Sequence, residues 1–264
     1  MCRLLFVSGT KDNIDSVSSL VDALVKASLN DPTYGNEVIS HKDGFGYVLY
    51  GLDNGKITNI YFRSTKPIFE SDKDIVSLKN TLKGFERFAF AIHVRLASAG
   101  SKDTTNIHPY MFSLPNGMNF FFMHNGTLCK DKVEKKFEVK VGDNLSDSFT
   151  FSYAISSKLE NFLKAKEFLK SGKDFVKENS GFNTISFFAD GNNVDSIITV
   201  FFKGKKDYYK AYLLENEGLI AFMSSTLKLH LEKDTQDKLE EISTGTMLTI
   251  QNLLGNTKIS RESF

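Results

Sequence analysis

CRLLFVS, Cys2 to Ser8, is a continuous apolar run that starts at the second residue. Such a run reads as a buried strand rather than a frayed end. The next stretch changes period: Ile14, Val17, Val21, Leu24 and Val25 recur at helical spacing and Asp31-Pro32 closes the pattern, which predicts an amphipathic helix over Ile14–Leu29. Phe45–Tyr50 and Lys56–Arg63 flank Asp53-Asn54-Gly55, residues that tolerate positive φ, so a hairpin is expected there. A short helix over Lys73–Leu82, stopped by Gly84, leads to strands at Arg87–Val94 and Asn119–His124. Ser146-Asp147 then opens a helical pattern in which Phe151, Ile155, Leu159, Phe162 and Leu163 share one face, with further helix to about Glu178. From Asn183 the pattern becomes a meander of strands at Thr184–Ala189, Val194–Phe202, Tyr208–Leu214, Leu219–Met223 and Thr246–Ile250. Strands at both ends with helices grouped between them predict an α+β layered domain rather than the βαβ repeat of a parallel sheet.

The 264 residues suit one large domain or two small ones, and no linker, repeat or low-complexity segment divides them. Hydrophobic residues at 41% and charged residues at 25% exclude collagen-like, coiled-coil and disordered classes. Thirty-three basic against 32 acidic side chains leave a formal charge of +1, so no net field recruits nucleic acid or an anionic membrane. Leu4–Val7 is far shorter than a signal-peptide core and is soon followed by Lys11 and Asp12. No run approaches the ~20 apolar residues of a membrane helix. Two cysteines, Cys2 and Cys129, make at most one disulfide and cannot supply a four-cysteine zinc site. A cytoplasmic protein that neither enters a membrane nor binds nucleic acid is expected.

Four places carry candidate chemistry. Removal of the initiator Met would join a thiol and a free α-amine in Cys2; the amine, with a reference pKa near ~7.7 to 8.0, is able to take the thiol proton without a histidine. The alternative is an inert buried thiol that merely opens a strand. Along Arg87–Arg95, alternation puts Phe88, Phe90, Ile92 and Val94 on one face and Ala89, Ala91, His93 and Arg95 on the other. With five arginines against 28 lysines in the chain, an Arg at this strand end is pointed: its planar fork suits a carboxylate, or else a rim salt bridge. FFFMHNG, Phe120 to Gly126, ends in Asn125-Gly126, whose side-chain amide and backbone N–H suit a developing oxyanion, although Asn-Gly is also the commonest hairpin turn. Asp147 either holds an ammonium group or caps its helix. The main mechanistic competitor is a Cys-His dyad using His41, His93, His108, His124 or His230. The histidines lack the i, i+4 spacing and carboxylate company of a zincin, so no metal is expected.

Cys2 opening a strand, HKDGFG at His41–Gly46, HVR at His93–Arg95, HP at His108-Pro109, HNG at His124–Gly126 and SDS at Ser146–Ser148 follow one another in the order and rough spacing of class II glutamine amidotransferase domains. MSST at Met223–Thr226 and TGTMLTI at Thr244–Ile250 resemble the closing strands of the stand-alone members, so the resemblance spans residues 1–264 as a single domain. It implies the N-terminal-nucleophile hydrolase fold, a four-layer αββα sandwich of two antiparallel sheets. It also implies Cys2 as nucleophile with its α-amine as base, Asn125 and Gly126 at the oxyanion, Arg95 on the substrate α-carboxylate and Asp147 on the α-ammonium, with no cofactor. Leu96 stands where the family often has an aromatic residue or Gln, Ser98 where it has Thr, and Phe149 where it has Glu. Ser98 keeps the hydroxyl and is counted with the substrate-binding residues, and Gly44 and Gly46 are expected to let backbone approach the site. The implied reaction releases ammonia from glutamine through a γ-glutamyl thioester. The alternative is hydrolysis of γ-glutamyl bonds in glutathione-like peptides, alone or beside a separate ammonia-accepting or peptidase subunit.

Overall fold

The computed structural model describes residues 2–32, 39–204 and 206–264; Met1 lies outside them. Strand β1 (Arg3–Thr10) leads into helix α1 (Ile14–Leu29), the hairpin β2 (Phe45–Asp53) and β3 (Lys56–Ser64), helix α2 (Asp72–Leu82) and strand β4 (Arg87–Val94). Next come β5 (Tyr110–Ser113), β6 (Asn119–Gly126), α3 (Lys130–Phe137), α4 (Asp147–Ser156) and α5 (Phe162–Ser171). The remainder is β7 (Phe182–Ala189), β8 (Val194–Val200), the single turn α6 (Lys206–Tyr209), β9 (Ala211–Asn216), β10 (Leu219–Ser224), β11 (Glu240–Ile242), β12 (Thr246–Gln251) and β13 (Lys258–Ser263). The described residues form a seven-stranded sheet ordered β11-β9-β10-β1-β4-β2-β3 and a six-stranded sheet ordered β13-β12-β8-β7-β6-β5. Every pairing is antiparallel.

Side-chain alternation along each strand divides the core into three layers of apolar contact. Leu5 and Val7 of β1, with Phe88, Phe90, Ile92 and Val94 of β4, pack under α1 and α2 through Val17, Leu20, Leu24, Leu78 and Leu82. Leu4 and Phe6, with Ala89 and Ala91, face the other way and meet Phe121, Met123, Ile185 and Phe187 of the second sheet. Phe120, Phe122, Phe188 and Ile197 cover that sheet's outer face and receive Val133, Phe151, Ile155 and Leu169 from α3 to α5. The order helix, sheet, sheet, helix is the expected four-layer sandwich. Among the described residues no helix is long and apolar enough to cross a membrane.

The local expectations hold best where one period runs uninterrupted. Helix α1 has the bounds that its apolar spacing predicts, and the β2–β3 hairpin turns at Asn54 and Gly55, both at positive φ. Three expectations are corrected. The helix from Asp147 stops at Ser156 and a new one begins at Phe162, capped by Asn161, so Leu163 leaves the shared face and is 67% exposed. Tyr208 and Tyr209 belong to the helical turn α6, and the strand begins only at Ala211. The carboxyl-terminal strands are not one meander: β7, β8, β12 and β13 lie in the six-stranded sheet, whereas β9, β10 and β11 join the sheet of β1.

Candidate active site

The antiparallel register pairs Arg3 with Val94 and Leu4 with His93, which brings Cys2 to the level of Arg95 at one end of the first sheet. Cys2 continues the face of Leu4 and Phe6, and Asn125 the face of Phe121 and Met123, so alternation aims both into the space between the sheets. They meet there: the Cys2 backbone nitrogen donates to Asn125 Oδ1 at 2.9 Å. Asn125 is fully buried, and its Nδ2 has no hydrogen-bond partner. The Cys2 thiol is buried too, with the Leu96 carbonyl 3.9 Å from Sγ as its polar neighbour.

Asn125-Gly126 is not a hairpin turn. Both residues are the last of β6, paired with Asn183 and Phe182 of β7. A Cβ at Gly126, where φ is 156°, would stand 1.7 Å from the Gly181 carbonyl oxygen, so the strand end closes this tightly only around glycine. The chain then turns through Thr127, whose N–H donates to Ser180 Oγ at 2.7 Å, and Leu128, whose N–H donates to Asp147 Oδ2. Asp147 is therefore tied to the loop after β6 and is not the cap of its own helix: Ser146 Oγ takes that place by accepting from the Phe149 N–H at 3.1 Å. Ser146 is held in turn by Tyr110 Oη at 2.7 Å and by the Asn106 side chain at 2.7 Å from its N–H.

Arg95 is buried just past β4. Its N–H donates to Gly44 O at 2.9 Å and its Nη2 to Ala99 O at 3.1 Å, while Nη1 has no hydrogen-bond partner. Among the described residues it forms no salt bridge. Gly44 sits at φ 102°, where a Cβ would approach Ser64 O to 2.5 Å, and at Gly46 a Cβ would lie 2.3 Å from His108 O. Both glycines admit neighbouring backbone at the entry to β2. Asp43 braces the loop after Arg95 by accepting from the Ala97 N–H at 2.8 Å and from Lys102 Nζ at 2.8 Å. Burial pushes the Asp43 carboxyl up, but the Lys102 bond, the Ala97 N–H and the nearby Lys102 and Arg95 charges outweigh it and hold the group low. Ser98 does not join the cluster; it is exposed on that loop and makes no hydrogen bond among the described residues.

No imidazole hydrogen-bonds either thiol among the described residues. His93 Nε2 and His108 Nδ1 are 2.9 Å apart, and His124 lies between Ser148 Oγ at 2.7 Å and Gly181 O at 3.1 Å. A carbonyl only accepts, so His124 carries its proton on Nε2 and takes the Ser148 hydroxyl on Nδ1. Burial lowers the pKa of all three, that of His93 and His108 well below the ordinary imidazole value. His41 is on the opposite face of β1, bonded to Asp31 at 2.8 Å. Cys129, half-buried, precedes α3 and its N–H donates to Phe175 O at 2.8 Å.

Sequence reasoning passed over Arg3, Asp31 and Tyr208. Arg3 is fully buried, bonded to Asp31, 3.1 Å from Tyr208 O and 4.0 Å from the centre of the Tyr208 ring. A cation inside an apolar run was the available signal, since a buried arginine needs a partner.

The family described as class-II glutamine amidotransferases matches residues 22–193, which takes in Arg95, Ser98, Asn125, Gly126 and Asp147 and begins after Cys2. No curated protein sequence matches the chain. Among solved structures, a glutamine phosphoribosylpyrophosphate amidotransferase from B. subtilis is similar over 99% of this chain at 14% identity, with a TM-score of 0.62. The chain spans 49% of that protein's length. A glutamine aminotransferase class-II domain protein from Silicibacter pomeroyi covers 100% of this chain and 99% of its own, at 15% identity and a TM-score of 0.50. At these identities the structural likeness speaks for the fold: two antiparallel sheets between helices, as in N-terminal-nucleophile hydrolases.

Proposed function

The chain belongs to the class-II glutamine amidotransferases, and we propose that its own reaction is hydrolysis of the side-chain amide of glutamine by Cys2 once Met1 has been removed. The observation that carries this reading is the bond from the Cys2 nitrogen to Asn125 Oδ1. It orients the side-chain amide so that Nδ2, buried and without a partner, is left for an oxygen that the described protein does not supply. In the proposed cycle the freed α-amine takes the thiol proton and the thiolate attacks the amide carbon. Asn125 Nδ2 and the Gly126 N–H receive the developing oxyanion. Ammonia leaves with the proton returned by the amine, and water then hydrolyses the γ-glutamyl thioester to glutamate.

Arg95 Nη1 is the open donor for the substrate α-carboxylate. Asp147, with one oxygen committed to Leu128, offers the other to the α-ammonium. Ser98 would reach substrate only from its exposed loop. The same glutamyl head fits γ-glutamyl peptides, the second substrate class for these residues, and a separate subunit would take the ammonia or carry a peptidase step. The absence of an imidazole bonded to Cys2 favours the amine over a Cys-His dyad.

The experiment compares preparations ending in Met1 or in Cys2, verified by intact mass, and scores ammonia, glutamate and released amine from glutamine and from γ-glutamyl peptides. Activity is expected only in the Cys2-terminated form and is lost in Cys2→Ala, with Cys129→Ala near the parent. Equal activity in the two forms rejects the N-terminal nucleophile.

A further inference from the structure

Helix α6 is a single turn, yet its two tyrosines reach both sheets. Tyr208 Oη donates to the Cys2 carbonyl at 3.3 Å. Its own carbonyl receives Arg3 Nη1 at 3.1 Å and Ser225 Oγ at 3.0 Å, and its ring lies under the Arg3 guanidinium. Tyr209 reaches the other way. Its hydroxyl is 3.2 Å from Ser180 Oγ, the atom that accepts the Thr127 N–H directly after Gly126. The Tyr209 carbonyl accepts Asn183 Nδ2 at 2.7 Å, and Asn183 is the register partner of Asn125. A Cβ on Gly181 would meet Tyr209 Cδ1 at 2.7 Å, so the ring is packed hard against the end of β7. The rings stand edge to face, 5.1 Å apart.

Adjacent residues in a strand point to opposite faces, whereas a helical turn places them about 100° apart, so that both address the end of the sandwich. We infer that the Tyr208–Tyr209 turn is a strap that positions the nucleophile of the first sheet against the oxyanion donors of the second. The inference rests on the proposed role of Cys2. In the proposed enzyme Cys2 is the terminal residue, so its orientation depends on few contacts: the Asn125 bond at its nitrogen and the Tyr208 bond at its carbonyl. Through its bond to the Cys2 carbonyl Tyr208 acts on the Cys2 backbone, and Tyr209 acts through Ser180 and Asn183. The Tyr208 bond reaches Cys2 and neither Arg95 nor Asp147, so Tyr208 should set kcat and leave KM alone, whereas Tyr209 also bears through Ser180 and Thr127 on the loop whose Leu128 N–H holds Asp147.

The test uses the full chain with a verified Cys2 terminus. Tyr208→Phe keeps the ring under Arg3 and removes only the hydroxyl. We expect kcat for glutamine to fall about tenfold with KM within twofold of the parent. Tyr209→Phe, one contact further from the thiol, should cost about threefold in kcat. Alkylation of Cys2 by iodoacetamide, mapped by peptide mass, should slow in Tyr208→Phe by about the same factor as kcat, with Cys129 as internal reference. Parent kcat and alkylation rate in Tyr208→Phe overturn the strap. So does a loss that disappears when activity is normalised to the folded fraction, since that marks a purely structural residue. A parent enzyme with no amide or γ-glutamyl hydrolysis refutes the proposed reaction instead, and the alkylation comparison still decides whether Tyr208 positions Cys2.

Discussion

Two buried arginines flank the same strand pair and are treated in opposite ways. Arg3 on β1 is enclosed by Asp31, the Tyr208 carbonyl and the Tyr208 ring, on the face that looks toward α1. Arg95, level with Cys2 at the end of β4, has no carboxylate partner among the described residues and keeps Nη1 unbonded. A buried guanidinium donor without a partner costs stability. The two arginines therefore differ: the charge of Arg3 is answered by Asp31, although His41 Nδ1 on that side has no hydrogen-bond partner, whereas Arg95 Nη1 and Asn125 Nδ2 are both left without one.

The largest effect that tests this contrast is on the enclosed side. Arg3→Leu strips Asp31 of its ion-pair partner in a fully buried site and should cost roughly 3–5 kcal/mol in unfolding free energy. Arg95→Lys should leave the denaturation midpoint near the parent and lower kcat/KM about 10- to 100-fold, because one ammonium cannot reproduce a two-pronged contact. Denaturant titration alongside kinetics separates the two; equal unfolding penalties, or an unchanged kcat/KM in Arg95→Lys, would break the comparison. Asn125→Ala should reduce kcat by about 10² to 10³ with the fold retained. Wild-type kcat in that variant would remove Asn125 from the oxyanion site.

The comparison is also sharpened through pH. Burial lowers the pKa of His41 from 6.5 to about 4 against the opposing hydrogen bond of Asp31, and His93, His108 and His124 are also held low. The unfolded chain binds protons at these sites before the folded one does, so stability is complete above pH 6.5 and declines as pH falls toward 4. The expected slope is about 1.4 kcal/mol per pH unit for each histidine that must stay neutral. Asp43, held below its ordinary 3.8, adds its loss only below that window. Unfolding free energies that stay level from pH 7 to pH 5 would contradict buried neutral imidazoles.

Much of this architecture was legible because it is written in short-range periodicity. The alternation of Ala89, Ala91, His93 and Arg95 against Phe88, Phe90, Ile92 and Val94 assigned the correct faces of β4 before any coordinates. The break after Ser156 was not legible, since no Gly or Pro marks it and Leu159 still packs in the core. Tyr208-Tyr209 reads as strand by residue type, and partners remote in sequence, Arg3, Ser225 and Asn183 among them, hold it as a turn. Asn125-Gly126 was ambiguous for a similar reason: whether it turns or continues depends on β7, which begins at Phe182. Ser98 was carried by resemblance alone, and its exposed loop gives it no contact from which a role could be read.

The place of β1 inside its sheet also bears on how the chain is born. Its two neighbours, β4 and β10, begin at Arg87 and Leu219. At synthesis rates of about 5–20 residues per second, a ribosome needs roughly ten to forty seconds to reach the second of them. Throughout that interval the first strand has an unpaired edge. The sheet is thereby closed in an order set by its topology: the central strand is made first and sealed late.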